Sequence, residues 1–121
     1  MDTFKGRIIL GLTEHVFILG KQEHGEALKK SCIARIDTGA KRSSIDIHLA
    51  KSLGIIPSKQ KAVIRSATGR TIRPLASVSI ILKDKKYTSK FTLIDRTPMS
   101  YQCLIGTDIL EKDFIIDPRK K

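Results

Sequence analysis

Ala34-Arg35-Ile36-Asp37-Thr38-Gly39-Ala40-Lys41-Arg42-Ser43-Ser44 is the stretch on which the reading of this chain turns. The run from Cys32 to Ile36 reads as a strand, and the carboxylate of Asp37 stands at its end. Small residues follow. Gly39 permits a tight turn and a close backbone approach, and the Thr38 hydroxyl can be buried in hydrogen bonds that hold the loop. Asp37, Thr38 and Gly39 are therefore a candidate catalytic loop. Three residues are a weak signal alone, so the rest of the chain has to support them.

Downstream, Ile45, Leu49 and Leu53 recur at intervals of four, with Asp46 near the start and Gly54 just past the end, which predicts a short helix over 44–54. Ala62–Ser66 and Thr71–Pro74 flank Ala67-Thr68-Gly69-Arg70, the pattern of a hairpin whose tip needs a Gly. Val78, Ile80 and Leu82 alternate with their neighbours, and after a turn at Asp84-Lys85 a second strand carries Tyr87, Phe91 and Leu93. Leu104-Ile105-Gly106 reads as a buried strand ending in a bend, with Thr107 capping a brief helix through Glu111 and Phe114–Ile116 forming a last strand. Upstream, Ile8–Leu12 and Val16–Leu19 read as two strands around a turn at Thr13-Glu14-His15. The polar segment from Gly20 to Ser31 is an exposed loop or a long hairpin tip. A mostly β chain with one or two short helices results, with residues 1–121 as one domain.

Composition agrees. Only six residues are aromatic, so burial falls mainly to Ile, Leu and Val, which favour pleated, half-buried surfaces. Lys and Arg number 23 against 12 Asp and Glu, a net charge of +11 spread along the chain. Asp37 would sit in a positive field. The surplus favours nucleic acid, an anionic membrane surface or an acidic peptide as partner, or serves solubility alone, and composition does not choose. Cys32 and Cys103 lack metal-knuckle or redox spacing and read as buried free thiols. With no secretory signal and no apolar run of the ~18 residues that a membrane span needs, a soluble cytoplasmic protein with no membrane partner is expected.

The loop at Asp37 resembles the retropepsin active-site loop in motif and position. Cys103-Leu104-Ile105-Gly106-Thr107-Asp108-Ile109-Leu110 is similar to the element that ends the retropepsin fold in a short helix, and Ala67-Thr68-Gly69-Arg70 stands where such proteins carry the flap over substrate. Gly11-Leu12-Thr13-Glu14-His15-Val16, the Asp37 stretch, and Phe91-Thr92-Leu93-Ile94-Asp95-Arg96 through Met99 and Tyr101 look like one prokaryotic subgroup. It is the retropepsin-like group described as ATP-dependent zinc proteases, associated with ATP-grasp ligases that attach glutamate. The resemblance runs from Gly11 to Pro118 and implies a retropepsin-like (acid protease) closed β fold, one lobe per chain. Many retroviral relatives carry Asp at the second position after the Gly-Ala pair and Arg after the later Gly. Arg42 and Thr107 occupy those places here and cannot pair as ions.

An aspartic endopeptidase needs two carboxylates sharing a proton. The chain holds one Asp-Thr-Gly, so the resemblance implies a homodimer with Asp37 from each subunit. Asp108 is expected in a cap or structural hydrogen bond, and Asp46 and Asp95 as a cap or a surface charge. Ala40, Lys41, Arg65, Thr68, Gly69 and Arg70 are the candidate substrate contacts, and the cations among them suit an acidic, Glu-rich peptide. Hydrolytic zinc needs about three protein ligands and an open position, and His15, His24 and His48 form no such pattern. A Gly-rich phosphate loop is also missing, so neither zinc, ATP nor any other cofactor is expected. An inactive dimeric binding module and a basic nucleic-acid or ribosome-associated protein stay open beside the protease.

Overall fold

Alternating apolar residues fold this chain into a closed sheet. The computed structural model describes residues 2–23 and 26–120. In chain order these form β1 (Thr3–Phe4), β2 (Arg7–Leu10), β3 (Thr13–Glu23), β4 (Glu26–Ile36), β5 (Ser44–Asp46), α1 (Ile47–Ser52) and β6 (Lys61–Ser66). They continue with β7 (Gly69–Leu82), β8 (Lys85–Ile94), β9 (Cys103–Ile105), α2 (Thr107–Asp113) and β10 (Phe114–Ile116). The larger sheet has the order β3-β4-β9-β5-β8-β7-β6, and a second pairing of β3 with β7 closes it into a barrel. Closure pairs every strand of the ring on both sides and leaves β6, which pairs with β7 alone, as the remaining edge. Its interior is filled by aliphatic side chains such as Val16, Ile18, Ile45, Ile80 and Ile105, with Phe91 the largest side chain fully buried.

β7 serves two hairpins. Its first half, Gly69 to Pro74, pairs with β6, and its second half, Leu75 to Leu82, pairs with β8. The two segments expected as separate strands are thus one continuous strand. The β7–β8 turn lies at Lys83-Asp84, one residue earlier than expected, and both residues have positive φ, 51° and 64°, the backbone that a two-residue turn requires.

Three further expectations are corrected. Thr13-Glu14-His15 is no turn; it opens β3, which pairs with β4 and β7. β2 pairs instead with β1 and, in parallel, with β10, so both ends of the chain meet in a small separate sheet. The segment 44–54 begins as a strand: Ser44, Ile45 and Asp46 are buried between β8 and β9, and this pairing overrides the helical spacing until Ile47. Thr107 does not cap α2. Gly106 holds the N-cap position without a side-chain cap, and the helix continues to Asp113. The polar segment after Gly20 is the long-hairpin alternative, with strand through Glu23 and again from Glu26; its tip, with His24, lies outside the described residues.

Cys32 and Cys103 are free thiols in contact on β4 and β9, Cys103 buried as expected and Cys32 only half-buried; the hydrogen bond with Cys32, and then burial, push the Cys103 thiol up. No helix among the described residues is long and apolar enough to cross a membrane.

α2 is tied to the barrel by Tyr87, whose hydroxyl donates to Asp113 Oδ2 at 3.0 Å while its ring packs on Phe114. Burial, and then the Asp113 carboxylate, raise the phenol from its ordinary 10.0 to about 12. A raised folded-state value means that Tyr87 contributes stability in full below pH 10 and loses it as pH rises towards 12. Tyr87→Phe should cost about 1 kcal/mol at neutral pH and flatten the alkaline decline. Urea unfolding of both proteins at neutral pH and at about pH 11 checks this; an equally steep decline in the variant would contradict it.

Candidate active site

The Asp37 loop is positioned by strands on both sides. Ile36 N–H donates to Leu12 O at 2.9 Å, and Asp37 N–H donates to Ile105 O at 2.9 Å, carrying the parallel β4–β9 pairing one residue further. The chain then turns: Gly39 N–H donates to Asp37 Oδ1 at 2.9 Å and Ala40 N–H to Asp37 O at 3.3 Å. Oδ1 is thereby oriented, while Oδ2 of the half-buried carboxylate has no donor among the described residues. Thr38 departs from its expected burial: it is exposed in the single chain.

A second set of bonds clamps the far end of the loop. Thr107 N–H donates to Ala40 O at 2.8 Å. Ser43, fully buried, accepts from Gly106 N–H at 3.0 Å and donates to Asp108 Oδ1 at 2.8 Å. Ser89 donates to Asp108 Oδ2 at 2.7 Å. Asp108 is thus a structural acceptor with both oxygens occupied, as expected. Gly106 is required by space, since a Cβ there would lie 2.6 Å from Ala40 O and 2.9 Å from the Arg42 carbonyl carbon. Where an Arg42–Thr107 ion pair was ruled out, backbone contacts and a buried serine hold the same two segments together. No motif singled out Ser43.

Beside the loop opens a cleft of about 500 Å³. Of the expected contacts, Gly39, Ala40, Lys41 and Arg65 line it, whereas Thr68, Gly69 and Arg70 sit on the exposed hairpin tip and do not. Gly69 has φ of 132°, consistent with the tip's need for glycine. The cleft also brings in Arg42 and Arg73 and, from its buried side, Ser44, Thr92 and Arg96. These three were not singled out as site residues: Ser44 falls at the start of the expected helix, Thr92 in an expected strand, and Arg96 in a stretch noted for its resemblance alone. Burial above all holds the Arg96 guanidinium below its ordinary value, and the nearby cations Arg73 and Arg35 add to the effect.

Asp46, His48 and Asp95 offer ligand atoms within 4.8 Å of one another, but none lines the cleft. Asp46 caps α1, accepting from Leu49 N–H at 3.1 Å and from Arg96 N–H at 2.7 Å, so each of its oxygens already serves the backbone. Asp95 Oδ1 accepts from Thr97 N–H, and the one imidazole is exposed. This set fits a structural joint better than hydrolytic zinc. His15 bonds to Ser31 on the barrel exterior.

No protein-family model and no curated protein matches this chain. Solved structures do. A protein of unknown function (DUF785) from Legionella pneumophila is 21% identical with a TM-score of 0.63, covering 94% of this chain and 95% of that one. The simian foamy virus protease is 15% identical with a TM-score of 0.54, covering 82% and 91%. The EIAV protease, solved with the inhibitor HBY-793, is 20% identical with a TM-score of 0.55, covering 92% and 91%. The fold is that of the retropepsins: a mostly β, closed barrel with two short helices. At these identities the likeness is one of fold, and it does not reach the narrower prokaryotic zinc-protease group.

The clamp predicts two stability effects. Gly106→Ala should cost roughly 1–3 kcal/mol by overpacking against Ala40. Ser43→Ala should cost a similar amount, roughly 1–3 kcal/mol, by orphaning Gly106 N–H and leaving Asp108 Oδ1 with Ile109 N–H alone. Denaturant midpoints measure both, and wild-type midpoints in either variant would show that the loop is held by something else.

Proposed function

We propose that the protein is an aspartic endopeptidase whose active site is completed by a second copy of the chain, with Asp37 and its symmetry mate as the catalytic dyad. The observation carrying this reading is the Asp37 carboxylate itself: one oxygen oriented by Gly39, the other without a donor, on a clamped loop beside a cleft in a retropepsin fold. Two such carboxylates brought together share one proton. The ionised member takes a proton from water as that water attacks the peptide carbonyl carbon, and the protonated member donates to the carbonyl oxygen. Collapse of the resulting tetrahedral species breaks the C–N bond, with the amine leaving protonated. No step calls for a metal or a nucleotide.

Other features favour dimerisation and a peptide substrate. The sheet formed by β1, β2 and β10 has β1 and β10 at its edges, and unpaired edges recruit further strands. The exposed Thr38 stands beside Asp37, where a partner subunit would cover it. Val63 and Ile72 are cross-strand neighbours on the β6–β7 hairpin and are 50% and 59% exposed, an apolar surface that a bound peptide would bury. The positive charge favours acidic, Glu-rich substrates, and a functional link to an ATP-grasp glutamate ligase would supply them.

Asp37→Asn should abolish cleavage of a peptide library while leaving fold and dimer intact. Specific activity of the wild type should fall on dilution in step with dimer dissociation seen by sedimentation. Full activity in a strictly monomeric protein, or in Asp37→Asn, would refute the shared dyad.

A further inference from the structure

We propose that the floor of the cleft is a carboxylate-binding subsite, built on Arg96 and Ser44, that selects an acidic side chain of the bound peptide. This rests on the endopeptidase reading and gives it a specificity determinant.

Arg96 is 6% exposed and lines the cleft. Its backbone N–H donates to Asp46 Oδ1 and its Nε donates to Tyr101 O at 2.7 Å. The side-chain ion pairs among the described residues are His48–Asp95, Lys83–Glu14 and Lys120–Asp2, and none involves an arginine. Arg96 is therefore a nearly buried cation with no ion pair among the described residues; the nearby carboxylate, Asp46, is taken up by the N–H groups of Leu49 and Arg96. A buried guanidinium is normally paired, because removing it from water is costly. Its surroundings make matters worse: Lys41, Arg42, Arg65 and Arg73 line the same cleft, and no Asp or Glu does.

Ser44 supplies an independent sign. It is 5% exposed and lines the cleft, and its Oγ is the one buried side-chain polar atom among the described residues with no hydrogen-bond partner. Buried hydroxyls are nearly always bonded, so an orphan calls for an absent partner. Thr92, opposite Ser44 in the β5–β8 pairing, adds a second hydroxyl to the same floor. A carboxylate answers both deficits, accepting from the serine hydroxyl and from the guanidinium N–H groups while neutralising the local charge. A cleft of about 500 Å³ admits such a side chain. Selectivity for acid then belongs to the floor of the cleft, not to Arg70 at the exposed hairpin tip.

Binding can be read without cleavage in the Asp37→Asn protein, using fluorescent peptides that differ only by Glu or Gln, each with a free or an amidated C-terminus. Charge-assisted bonds of this kind predict roughly a 10-fold or greater preference for Glu, regardless of the C-terminus. Adding Arg96→Gln should abolish the preference, Arg96→Lys should retain part of it, and Ser44→Ala should reduce it a few-fold. Thermal melts establish that each variant is folded. Arg73→Gln, at a half-exposed position, gives a second route by weakening the preference, whereas Lys112→Gln removes one cation from α2 and should leave it unchanged. Equal binding of Glu and Gln peptides, or a preference insensitive to both Arg96→Gln and Arg73→Gln, would overturn the subsite. So would a preference that follows the free C-terminus, or tighter binding of a short RNA than of the Glu peptide. A wild type that cleaves nothing yet shows the Arg96-dependent preference would retain the subsite and dismiss the endopeptidase.

Discussion

Gly106 passes so close to the loop after Asp37 that no side chain fits between them, and the geometry of the site depends on this approach. β9 delivers it: Ile105 accepts from Asp37 N–H, Gly106 gives its N–H to Ser43, and Thr107 gives its own to Ala40. Asp108 then takes hydroxyl protons from Ser43 and Ser89, linking α2, the loop and β8 in one buried network. Since each partner is satisfied by the others, removing one leaves a buried polar group stranded. Among the described residues the Asp37 carboxylate accepts only Gly39 N–H, so it is positioned by the clamp without being consumed by it.

The cleft inverts this economy. The clamp satisfies its polar groups internally, whereas among the described residues the floor holds a guanidinium with no ion pair and a serine hydroxyl with no partner. Barrel closure buries both, because Ser44 lies in β5 between β8 and β9 and Arg96 follows directly on β8. A uniform surface charge would explain solubility; a buried cation with no ion pair among the described residues, lining the cleft beside the Asp37 loop, is better explained by a ligand.

Much of this was legible in the sequence, because period-two alternation identifies strands, and the Asp37 and Gly106 segments are unusual enough to define a fold. The rest is decided by tertiary pairing. Thr13-Glu14-His15 looks like a turn yet lies in β3, because its partners on β4 are far along the chain. Ile45 fits a helical interval yet belongs to a strand, because β8 and β9 flank it. Ser43, Ser44 and Arg96 lie inside the stretches that carry the resemblance, but their burial is not legible there, since a buried serine and an exposed one read alike and an arginine's burial is invisible until the barrel closes. Arg70 is easy to place in sequence because it sits on a hairpin tip, whereas the cleft of the single chain is lined by Arg65 and Arg73 further down the same hairpin.

The central claim is that two chains make one site, and subunit mixing tests it most directly. Wild-type and Asp37→Asn chains are combined in equal amounts at constant total concentration and allowed to exchange before peptidase activity is measured. A shared dyad leaves only the wild-type homodimers active, so activity should fall to about a quarter of that of the unmixed wild type. A fall to about half, in simple proportion to the wild-type chains present, would mean that each chain works alone and would contradict the account.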